Sequence, residues 1–135
     1  MTKTEIARVQ LERAMMLFAR ESDYISATTL AGAAEEVLGH QLEFSALKET
    51  LLFIRSRLER GGHHFEEKAV ASDLNHARNA LKHYKVGDST SIAFCLKGAA
   101  IEMIDRAVSN HVKLTGEWPD ANIYLEYCRK KDADL

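Results

Sequence analysis

Arg78, Asn79 and His83 stand in the run "RNALKH", where four residues separate a fixed cation from a titratable imidazole. A guanidinium offers a planar fork of donors that matches phosphate oxygens. An imidazole near its neutral pKa takes or gives a proton at cellular pH. Lys82 and Lys85 add positive charge nearby. Together these residues suit a phosphodiester, with Arg78 facing the charge that grows on phosphorus and His83 handling the proton. A plainer reading covers the same residues. Lys82, His83 and Lys85 fall in the last turn of an expected helix, where cations complement the negative end of the dipole. On spacing alone that plainer reading weighs more.

The helix expected through "ASDLNHARNALKHYKVG" has two unlike faces when its residues are laid at 100° steps. Val70, Leu74, Ala77, Leu81 and Tyr84 form the expected core side. Asn75, Asn79 and His83 line the opposite side, with His76 beside them and Arg78 and Lys82 flanking. Solvated helix faces usually carry Glu and Lys, whereas Asn and His are mediocre helix formers. A polar row set against local propensity hints at use. Arg78, Asn79 and His83 are therefore the candidate catalytic residues, and Lys82, Asn75 and His76 the candidate substrate-binding ones.

The elements that must position this row are nearly all helical. Thr2 and Glu5 have capping-box spacing, and a stripe through Ile6, Val9, Leu11, Ala14, Leu17 and Phe18 predicts a first helix over 3–21. Asp23 can cap a second helix whose inward face holds Ala27, Leu30, Ala31, Ala34, Leu38 and Leu42. "SALKETLLFIRSRLERGG" predicts a third helix ended by Gly61–Gly62. "HHFEEKAVAS" reads as a connector. The motif helix comes fourth. A long fifth helix follows through "IAFCLKGAAIEMIDRAVSNHVKLTG", with apolar positions 92, 96, 99, 103, 104, 107, 108 and 112. Trp118–Pro119 restarts the chain, and "DANIYLEYCRK" predicts a short last helix. No strand pattern competes. The expectation is an all-α, up-and-down bundle of four to five main helices plus a short C-terminal helix, forming one domain over 1–135.

Composition narrows the function classes. A chain of 135 residues, 46% apolar and 28% charged, can bury a core without staples. The formal net charge of −2 argues against a broad nucleic-acid-coating surface but leaves room for a local basic pocket. Cys95 and Cys128 read as small hydrophobes within helices. No run is long and apolar enough for a membrane span, and no signal peptide is evident, so a cytoplasmic protein is expected. His63, His64, His76 and His83 lack the spacing of a metal site, and no Glu-x-x-His pair supports a di-iron bundle. Neither a metal nor a cofactor is expected. "RSRLER" reads as a solvated charged face. Trp118, Tyr124 and Tyr127 read as a packing cap on the bundle rather than a base-stacking platform.

The run from Arg78 to His83 resembles the R-(polar)-x-x-x-H motif of the HEPN superfamily, the higher-eukaryote and prokaryote nucleotide-binding domains. The resemblance implies an all-α domain of about this length with the motif on a late helix. It also implies a metal-independent endoribonuclease, of the kind found in toxin–antitoxin and phage-defence systems. The other activity it implies is a non-catalytic helical module that binds RNA, a nucleotide or a partner protein. Arg78 and His83 take the motif positions, and Asn79 is the polar residue after the Arg. "LAGAAEEVLG" resembles the second helix of some bacterial members, where an acidic residue lies near the motif. That places Glu35, at the edge of the core stripe, among the substrate-binding candidates, while Glu36 points away. The family's usual arrangement implies a two-fold homodimer with both motifs at the interface. Any antitoxin would be a separate protein, because the chain holds no nucleotidyltransferase-like segment.

Overall fold

The computed structural model describes residues 1–74 and 96–133. Among them are six α-helices: α1 (Lys3–Met16), α2 (Tyr24–Gly39), α3 (Ala46–Arg60), α4 (Glu67–Leu74), α5 (Leu96–Thr115) and α6 (Ala121–Asp132). No strand occurs among the described residues. The fold is an all-α bundle closed by a short C-terminal helix.

Local sequence sets four of these starts. Thr2 Oγ1 accepts from the Glu5 N–H at 3.1 Å, and the Thr2 N–H donates to Glu5 Oε2 at 2.7 Å, completing the expected capping box. Asp23 accepts from the Ser26 N–H at 3.0 Å, Ser45 from the Lys48 N–H at 3.3 Å, and Asp120 from the Ile123 N–H at 3.0 Å. The first helix reaches residue 21 as expected, but its last five residues, Leu17–Glu21, widen into a π-helical turn. Ser22, in the left-handed region at φ 52°, ends it. Gly61 and Gly62 end α3, and Gly62 takes a φ of 76° that side chains resist. Part of the expected connector is helical, since α4 begins at Glu67.

The core lies between α1, α2 and α5, with α6 across one end. Ala27, Ala31 and Ala34 on α2 and Ala99, Ala100 and Ala107 on α5 are buried, and their small side chains let the two helices pack closely. Leu11, Met15, Phe18, Leu38, Met103 and Ile104 fill the remaining space.

Two expectations need correction. Ile6 and Val9 do not face the core, being 46% and 49% exposed, while Ala7, Leu11, Ala14, Met15 and Phe18 are buried. Residues 7, 11, 14 and 18 share one side of the helix, and Val9 falls opposite them. The expected stripe mixed two faces. The second helix stops at Gly39, so Leu42 lies beyond it; Leu30 and Leu42 are only half-buried, whereas Thr28 and Glu35 are buried. Most of the fifth-helix positions hold: 99, 103, 104, 107 and 108 are buried, 112 is half-buried, and Leu96 is exposed. Position 92 lies outside the described residues.

Candidate functional site

Six of the seven candidate site residues, Asn75, His76, Arg78, Asn79, Lys82 and His83, lie outside the described residues. The seventh, Glu35, is 4% exposed on α2. Its Oε1 accepts from Arg106 Nη2 of α5 at 2.8 Å. Burying either charge alone would be costly, so each makes the other tolerable. Glu102, one turn before Arg106, lies 3.9 Å from the guanidinium. Burial raises the Glu102 pKa, and the neighbouring Arg106 charge opposes that rise.

Asn110, fully buried one turn beyond Arg106, extends this polar node. Its Nδ2 donates to the Glu35 carbonyl at 3.3 Å, and its Oδ1 accepts from the Ala46 N–H at 2.8 Å. One side chain thus ties the end of α2 to the start of α3. Gly39 keeps this joint compact, because a Cβ there would come within 3.2 Å of Asn110 Nδ2.

Glu35 also lines a cleft of about 450 Å³ shared with His40, Ser45, Lys48, Glu67 and Ala71. Among the described residues, Glu35, Glu36 and Glu67 border it together with Lys48 and His40. In the chain, Ala71 of its wall stands seven residues before Arg78.

The sequence reading missed Arg106, Asn110 and His111 as a polar group. The signal was present in "RAVSNH", which repeats the Arg-x₄-His spacing of residues 78–83 and sets Asn110 on a stripe that otherwise reads apolar. Arg106 turns to Glu35 on α2. His111, 3% exposed, turns to the loop after α5, with Nδ1 2.9 Å from the Glu117 carbonyl. A carbonyl only accepts, so Nδ1 carries the proton. On a regular helix, five residues separate two side chains by about 140°. Here the two face different neighbours.

The aromatic trio divides. Tyr127 is fully buried, while the Trp118 indole is 58% exposed. Tyr127 donates to Asp105 Oδ1 at 2.7 Å, and Lys131 Nζ lies 3.1 Å from Asp105 Oδ2. Burial first, and then the Asp105 carboxylate, raise the Tyr127 pKa. Burial, followed by a hydrogen bond with Cys128, pushes Tyr124 up to about 12. Cys128 is half-buried, and Cys95 lies outside the described residues.

Among the described residues no helix is long and apolar enough to cross a membrane, and no group of three or more His, Cys, Asp or Glu is placed to hold a metal ion. Comparisons with protein-family models, with curated proteins and with solved structures return no match for this chain.

Proposed function

We propose that this protein is a HEPN-type, metal-independent endoribonuclease that works as a cytoplasmic homodimer, with any antitoxin a separate chain. The observation that carries the reading is the Arg78-Asn79-x-x-x-His83 run in a chain whose described part is an all-α bundle, as the resemblance implies. His83 takes the proton from an RNA 2′-hydroxyl as that oxygen attacks the adjacent phosphorus. The 5′-oxygen leaves and collects a proton from an imidazolium, that of the partner subunit's His83 in the dimer, giving a 2′,3′-cyclic phosphate and a 5′-hydroxyl. Arg78 balances charge on the non-bridging oxygens. Asn79 holds the phosphate or orients His83, and Lys82, Asn75 and His76 grip the strand. The nucleophile belongs to the substrate, so the step asks for no metal.

The second Arg-x₄-His run supports the dimer. Arg106 and His111, spaced like Arg78 and His83, turn to different neighbours on a regular helix. A single pair at that spacing converges poorly, and a two-fold axis beside the motif would bring two sets together. The buried Glu35–Arg106 pair supports a structural role for Glu35 rather than contact with the strand.

Incubating purified protein with RNA in EDTA, beside Arg78→Ala and His83→Ala, tests the reading. If RNA stays whole, the non-catalytic module takes its place, and loss of RNA or nucleotide affinity in Arg78→Ala would support that. The exposed Trp118 is the feature that favours such binding.

A further inference from the structure

A groove of about 370 Å³ runs between α5 and α6, away from the cleft beside Glu35. Trp118 and Tyr124 supply its aromatic wall, Lys113 and Lys131 its cations, and Asp105 and Ser109 its small polar groups. Its volume falls at the low end of small-ligand sites.

The indole is exposed yet firmly placed. A chain of aromatic contacts leads to it from the core: Tyr24 to Phe18 at 5.1 Å, Phe18 to Tyr127 at 5.1 Å, Tyr127 to Tyr124 at 6.2 Å, and Tyr124 to Trp118 at 5.1 Å. The loop that carries it is held from both sides. His111 Nδ1 and Thr115 Oγ1 both reach the Glu117 carbonyl, at 2.9 and 3.2 Å, and the Glu117 N–H donates to Thr115 Oγ1 at 3.1 Å. Pro119 is buried directly after it. Packing alone does not require a large ring with most of its surface in water, held this rigidly. Lys131 and Lys113 are engaged by Asp105 at 3.1 Å and Glu49 at 2.7 Å. Both are partly exposed ion pairs, the kind that a phosphate can compete for at little cost.

We infer that this groove binds a ribonucleotide unit, with the base stacked on Trp118 and the phosphate held by Lys131 and Lys113. Aromatic stacking accepts any base, while the lysines demand a phosphate, so the groove grips single-stranded RNA or a free nucleotide with little sequence preference. The choice of ribonucleotide rests on the RNA-acting reading above. The groove itself needs neither Arg78 nor His83.

The chain has one tryptophan, so its fluorescence reports on this groove alone. The experiment titrates the full-length protein with AMP, with a short oligoribonucleotide and with ribose 5-phosphate. Saturable quenching by AMP and oligomer alike assigns a free-nucleotide site, and quenching by the oligomer alone assigns a strand site. Either supports the groove. Affinity should fall about 3- to 7-fold when salt rises fourfold, as one or two neutralised phosphates require. In anisotropy with a labelled oligomer, Trp118→Ala should weaken binding about 5-fold or more and Trp118→Phe much less. Lys113→Gln should reduce the salt dependence. Absence of saturable quenching up to about 1 mM, equal quenching by ribose 5-phosphate, or unchanged binding by Trp118→Ala overturns the proposal. The same titration of His83→Ala separates the two readings. Binding kept with cleavage absent in the parent sinks the nuclease alone, and cleavage without quenching sinks the groove alone.

Discussion

Glu35 on α2 and Arg106 on α5 meet at 2.8 Å in the interior, with side chains only 5% and 10% exposed. This pair fixes the register of the two helices that form most of the core. Removing one partner breaks a buried ion pair, so Glu35→Ala or Arg106→Ala should each cost about 3–5 kcal/mol in denaturant unfolding. The double change to Glu35→Leu with Arg106→Met should recover most of that loss. A double variant no better than the singles would show that the pair does more than neutralise itself.

Tyr124 and Tyr127 should titrate late. The phenol of Tyr124 is pushed up to about 12, and that of Tyr127 is raised as well, both chiefly by burial. Raised folded values mean that the two groups contribute stability in full below the unfolded tyrosine pKa of about 10. That contribution fades as pH rises through about 12 for Tyr124 and further for Tyr127. Tyrosinate absorbance should therefore stay incomplete until alkaline unfolding, then rise with it. Tyr127→Phe loses the 2.7 Å bond to Asp105 and should cost about 1 kcal/mol at neutral pH.

Much of the fold was legible. The Thr2–Glu5 box, the Asp23 cap and the Gly61–Gly62 stop are local chemistry, and each forms as spacing implies. The π-turn at Leu17–Glu21 and the early start of α4 were not, because they answer to packing beyond the segment. The face of α1 was misread because Ile6 and Val9 are larger than Ala7, and size outweighed phase. Glu35 was picked out by resemblance. Its partner Arg106 lies 71 residues away, a distance that no local pattern bridges.

The corrected face of α1 gives a direct contrast. Leu11 is fully buried and Val9 about half exposed. Leu11→Ala should cost about 2–5 kcal/mol. Val9→Thr should stay within about 0.5 kcal/mol, as surface changes do. Comparable losses at both positions would return Val9 to a buried contact, either in the core or between copies.

The dimer is open to light scattering. At tens of micromolar the mass should be twice that of the 15.2 kDa chain. A monomer at that concentration would leave each Arg78–His83 pair without the second set on which the proposed site depends.

The central claim, RNA cleavage by Arg78 and His83, is tested most directly by product chemistry. The parent protein, in excess EDTA, should cut RNA to ends bearing 2′,3′-cyclic phosphate, and should leave DNA and 2′-O-methyl RNA whole. Arg78→Ala and His83→Ala should each abolish cutting while keeping the thermal midpoint of the parent. Intact RNA with the parent protein, or a double variant that cuts as well as the parent, would contradict the account.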